Sequence, residues 1–148
     1  MRPKDANRPV EVLLVEDNPA DIELVQEALL EGQVNFHLNV VEDGDQAIEF
    51  LRRQGNYQRS PRPDLILLDL KMPKKHGLEV MAEIKADKDL RRIPVIVLTS
   101  SDSPTDILQA YDLQASCFIT KPSDLDEFNR VIGTVRDFCL TVVQLPPE

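Results

Sequence analysis

The chain has 148 residues, enough for one domain with a proper apolar core, and a formal net charge of −9. That balance argues against a general nucleic-acid binder, which needs a basic face to neutralise phosphates. Cys117 and Cys139 lie in apolar segments without metal-ligand spacing and read as reduced core residues; no signal peptide or run of transmembrane length is present, so a cytoplasmic protein with no membrane partner is expected.

Residues 1–9 form a polar leader. "VEVLLVED" is an apolar strand ending in Glu16 and Asp17, and "NPADIELVQEALLEG" reads as a helix capped by Asn18, with Pro19 in its first turn and Gly32 at its stop. "NFHLNVVED" is a second strand and "DQAIEFLRRQ" a second helix. After the polar connection "GNYQRSPRPD", Leu65 to Leu68 is an unbroken apolar run, suited to a strand buried on both faces, that delivers Asp69 at its end. "LEVMAEIKAD" is a third helix, "IPVIVLTS" a fourth strand, and Ser103-Pro104-Thr105-Asp106 opens a fourth helix. "SCFITK" is a fifth strand, and Ser123 to Asp126 begins the last helix.

Strands alternating with helices imply right-handed crossovers and a doubly wound α/β fold, a five-stranded parallel sheet with helices on both faces. Ligand sites in such sheets lie beyond the carboxyl ends of the strands. Those ends carry Glu16, Asp17, Asp69, Thr99 and Lys121. A lone acid at a strand end is ordinarily solvated; three acids, a hydroxyl and a lysine on one rim make a site. Close carboxylates repel unless a cation neutralises them, and Mg²⁺ is the hard, oxygen-seeking ion that fits. Lys121 and Thr99 add a charge and a donor for phosphoryl oxygens, and a carboxylate can attack phosphorus. The constellation therefore reads as magnesium-dependent phosphoryl transfer onto an aspartate. Asp69, followed by a Pro- and Gly-containing loop, is the better acceptor, whereas Glu16 and Asp17 suit metal holding.

"LLVEDN", "LLDLKMPKKHG", "PVIVLTS" and "TKP" together resemble the receiver domains of two-component response regulators over residues 10–140, with 141–148 left as a tail. The resemblance implies a flavodoxin-like sheet of order 2-1-3-4-5. It implies phosphorylation of Asp69 by a sensor histidine kinase and Mg²⁺ held by Asp17, Asp69 and the Lys71 carbonyl, with Glu16 acting through water. Thr99 and Lys121 would contact the phosphoryl group, Phe118 would be the switch aromatic behind the α4-β5-α5 face, and Lys121–Pro122 would be cis. "QGNYQRSPRPDLILLDL", "RRIPVIVLTSS" and "FCLTVVQLP" are similar to the small stand-alone regulators paired with cyanobacterial phytochromes.

With no residues left for an output domain, action through partners is expected. The stripe through Phe128, Val135, Phe138 and Val142 suggests a homodimer built on the last helix and tail. The chain is expected to be a phosphoacceptor signalling protein rather than an enzyme, one that assists its own phosphorylation and dephosphorylation. Alternatives are a non-phosphorylated pseudo-receiver that only binds partners and a magnesium-dependent phosphatase with an aspartate nucleophile. A nucleotide-binding protein has neither P-loop nor GxGxxG to support it.

Overall fold

A computed structural model describes residues 8–147, with Val142 described by its backbone alone; residues 1–7 of the expected leader lie outside the described residues. Five parallel strands, β1 (Val10–Val15), β2 (Phe36–Val41), β3 (Leu65–Leu68), β4 (Val95–Thr99) and β5 (Cys117–Thr120), lie in the order β2-β1-β3-β4-β5. The helices between and after them are α1 (Pro19–Leu30), α2 (Gly44–Arg52), α3 (Gly77–Ala86), α4 (Pro104–Asp112) and α5 (Leu125–Asp137).

Because side chains alternate across a strand, the sheet feeds two apolar layers. Leu13, Val15, Ile66, Leu68, Val95 and Val97 meet α2, α3 and Ala110 of α4. Val12, Leu14, Leu65, Leu67, Ile96 and Leu98 meet Val25, Ala28 and Leu29 of α1 and Phe128, Ile132 and Val135 of α5. Every residue of β1, β3 and β4 is buried, while the edge strands β2 and β5 are only partly so.

The helix starts follow their side chains. Asn18 Oδ1 accepts from the amides of Ala20 and Asp21, and Ser103 accepts from Asp106. The His76 imidazole caps α3, its Nδ1 accepting from Leu78 N at 3.1 Å, which requires that nitrogen to be unprotonated.

Beyond α5 the chain makes a π-helical turn, Phe138–Val142. Leu140 and Leu145 then bury themselves in the α1–α5 layer of the core. Among the residues expected at a dimer interface, Phe128 and Val135 are likewise inside the chain's own core, so they offer no surface to a second copy. Phe138 is 57 % exposed, and the side chain of Val142 lies outside the described residues. The expected cis Lys121–Pro122 bond is trans; the X-Pro preference for trans is not overridden here. Cys117 and Cys139 are free and half-buried on one apolar cleft, and burial pushes both thiols up.

Candidate functional site

The central strands carry the acids to one rim. Glu16 follows β1 directly, its amide bonded to Val41 O of β2, and one carboxylate oxygen accepts from Asn18 N at 3.2 Å. Asp69 follows β3, its amide donating to Val15 O at 3.0 Å, so the ends of β1 and β3 are tied side by side. Glu16, Asp17 and Asp69 each offer an oxygen, all within 4.8 Å of one another. Glu16 and Asp69 are buried, and Asp17 is half-buried.

Lys121 enters this cluster from the end of β5, with its side chain only 8 % exposed. Its ammonium donates to Glu16 at 2.5 Å and Asp21 at 2.8 Å, and lies 3.4 Å from Asp69. Burial alone would lower the lysine's pKa; hydrogen bonds to Asp21 and Glu16 and the charge of Asp69 outweigh it and hold the ammonium charged. Burial lifts the Glu16 carboxyl to about 7, the Lys121 hydrogen bond opposing that rise and the Asp69 charge adding to it.

The loop after Asp69 is shaped by close approach. Lys71 N donates to Asp69 Oδ1 at 3.4 Å, and Gly77 N donates to Leu70 O at 2.8 Å. A β-carbon on Gly77 would overlap the Asp69 carbonyl and the Leu70 α-carbon, so α3 starts against the end of β3 only because position 77 is glycine. The Lys71 side chain is exposed at the lip of the open cleft, whose volume is about 430 Å³.

The site thus brings together Glu16, Asp17, Asp69, Lys71 and Lys121. Thr99 is placed differently. It is fully buried at the end of β4, its Oγ1 accepting from Ser101 N at 3.4 Å, and the neighbouring Ser100 lines the cleft. Phe118 packs half-buried against the α2–α3 layer and does not line the cleft. Asp21 was missed by sequence reasoning, since an acid in a first helical turn has an ordinary explanation in the helix dipole. Its only separate signal was its place on the helix that follows the acid pair.

A buried set of hard oxygen donors already drawing in an ammonium is a set built for positive charge. It fits Mg²⁺, which takes one or two carboxylates and keeps waters that a phosphate displaces.

Comparison with known proteins agrees. Residues 12–132 match the response regulator receiver domain family. The chain is 46 % identical over 142 residues, 96 % of this chain and 97 % of the relative, to the response regulator Rcp1 of a Synechocystis species. The crystal structure of the Mn²⁺-bound form of Rcp1 superposes with a TM-score of 0.92, covering 94 % of this chain and all of that one. That of the phosphorylated cyanobacterial phytochrome response regulator RcpA also gives 0.92 at 46 % identity, covering 95 % of this chain and all of that one.

Proposed function

The chain belongs to the response regulator receiver family, and we propose that it takes a phosphoryl group onto Asp69 from a sensor histidine kinase of the phytochrome class. The carrying observation is the convergence of Glu16, Asp17, Asp69 and Lys121 in one cleft. The phytochrome pairing is supported by the match to RcpA over nearly the whole of both chains.

In the transfer, an Asp69 carboxylate oxygen attacks phosphorus, the P–N bond to the kinase imidazole breaks, and an acyl phosphate remains on Asp69. Asp17, Asp69 and the Lys71 carbonyl would hold Mg²⁺, with Glu16 contributing through water, and the ion would offset charge on the transferred oxygens. Lys121 moves its ammonium from Glu16 and Asp21 to a phosphoryl oxygen. The phosphoryl group, carrying about −1.5 to −2 in place of the single carboxylate charge, draws in the Thr99 hydroxyl and lets Phe118 follow, shifting the α4-β5-α5 face. The chain assists both the gain and the loss of its phosphoryl group but turns over no separate substrate.

Residues 10–140 form the receiver unit with 141–148 as a tail, and the protein works in the cytoplasm; no described helix is long and apolar enough to cross a membrane. A second copy docks through Phe138, the exposed member of the apolar stripe among its described side chains. Light scattering should report a dimer that Phe138→Glu dissociates; a parent monomer with and without phosphate removes this part.

The test of the central reading is intact mass after incubation with Mg²⁺ and acetyl phosphate. One phosphoryl group should appear on the parent and none on Asp69→Asn. Turnover without a bound group would favour a phosphatase, and no reaction a binding module.

A further inference from the structure

The receiver reading gives Lys121 a task at the phosphoryl group but assigns nothing to Asp21. Its carboxylate receives the lysine ammonium at 2.8 Å, closer than Asp69 at 3.4 Å. The three acids around this ammonium differ in depth. The side chains of Glu16 and Asp69 are 2 % and 8 % exposed, whereas that of Asp21 is 21 % exposed and stands at the outer side of the cleft. Asp21 is also held firmly: its amide donates to Asn18 Oδ1 at 3.2 Å, in the cap that starts α1. It does not belong to the group of acids whose oxygens converge within 4.8 Å.

An ammonium and a divalent cation compete for the same carboxylate lone pairs. Without an outer partner, Lys121 would satisfy its charge on Glu16 and Asp69 alone, and a cation entering the cluster would have to leave it buried with less compensation. With Asp21 in reach, the ammonium keeps one strong partner while the deep acids turn to the metal.

We propose that Asp21 is a positioning residue that anchors Lys121 at the cleft's outer side and so keeps Glu16 and Asp69 available to a divalent cation. The proposal rests on the receiver reading above and adds a residue to it. Asp21 is then also the partner that Lys121 gives up when charge gathers on Asp69.

The test is a double-mutant cycle read by calorimetric titration with Mg²⁺ alone, on the parent, Asp21→Asn, Lys121→Met and the double variant. Asp21→Asn should weaken Mg²⁺ binding about fivefold in the parent and less than about twofold in the Lys121→Met background. Asp21→Glu should stay within about twofold of the parent, since it keeps a carboxylate in reach. Equal weakening in both backgrounds would show Asp21 to be merely one more charge near the ion and would overturn the proposal, as would no effect in either. A role confined to the start of α1 would change thermal unfolding without making the Mg²⁺ constant depend on Lys121. A parent that bound no Mg²⁺ would sink the receiver reading and this proposal together; a parent that bound it with no coupling would sink the proposal alone.

Discussion

The backbone amide of Lys121 donates to the carbonyl of Thr99 at 2.7 Å, which locks the ends of β4 and β5 together at the rim. From that shared link the two side chains diverge. The ammonium enters the acid cluster, while the hydroxyl is turned to Ser101 N. Accepting from Ser101 N leaves the hydroxyl its own proton, the donor that a phosphoryl group on Asp69 would call on.

Replacing Thr99 by Val strands the amide of Ser101, a residue only 5 % exposed, and should lower unfolding free energy by about 1 kcal/mol in urea titrations. Thr99→Ser should restore it. The Val variant should still accept a phosphoryl group on Asp69 while losing the NMR shift changes of β5 and α5; an unaltered response would remove Thr99 from the switch.

Gly77→Ala drives a methyl group into the Asp69 carbonyl and the Leu70 α-carbon, so either α3 or the end of β3 must move. A cost of about 1–3 kcal/mol is expected from such overpacking, read by denaturant unfolding. Phosphorylation should slow in parallel, because the displaced backbone carries the acceptor. A variant as stable and as reactive as the parent would show that the loop yields freely.

Glu16 gives the metal-free protein a defined pH dependence. Its carboxyl titrates at about 7 when folded against 4.5 for the ordinary group, because burial beside Asp69 disfavours the charged form despite the Lys121 hydrogen bond. Between those two values the folded state holds the proton that the unfolded chain has lost, so stability falls as pH rises through the window. Calorimetry in chelator should show melting temperature declining from pH 4.5 to pH 7, with Glu16→Gln flattening the decline. A rise over that range in the parent would contradict the account.

The helix α4 is weakly held. Only Ala110 is buried, whereas Leu108 and Tyr111 are exposed, and the Tyr111 hydroxyl accepts from Phe118 N at 3.2 Å on β5. Tyr111→Phe should cost about 0.5–1.5 kcal/mol and speed hydrogen exchange at the Phe118 amide. Unchanged protection there would mean that the hydroxyl is not what holds α4 to the strand.

Lys71 stands exposed at the lip of the cleft, a position from which its side chain would shield an acyl phosphate on Asp69 from water. Removing it as Lys71→Ala should speed hydrolysis by up to about tenfold, about 1.4 kcal/mol of barrier, in a time course of intact mass. Equal lifetimes would leave Lys71 with its backbone role alone.

The fold was legible because each signal agreed with its neighbours: buried runs such as Leu65 to Leu68, caps such as Asn18 and Ser103, and polar groups at four of the five strand ends. The acids of the rim were legible for the same reason, since strand ends in a parallel sheet share one edge. Side-chain direction was not. Nothing in "LTSS" tells that Thr99 turns to the Ser101 amide while Ser100 faces the cleft. Nor does an apolar stripe say which members face inward: Phe128 and Val135 followed helical spacing into the chain's own core, and Phe138 did not. Asp21 escaped notice because its partner lies 100 positions away in sequence.

Leu140 and Leu145 close the α1–α5 layer from beyond the end of the family match at residue 132. The segment common to the whole family is therefore shorter than the unit that is physically sealed. Transplanting this domain by that boundary would leave Leu65, Ile96 and their neighbours uncapped, and any fusion that preserves the fold has to carry the tail with it.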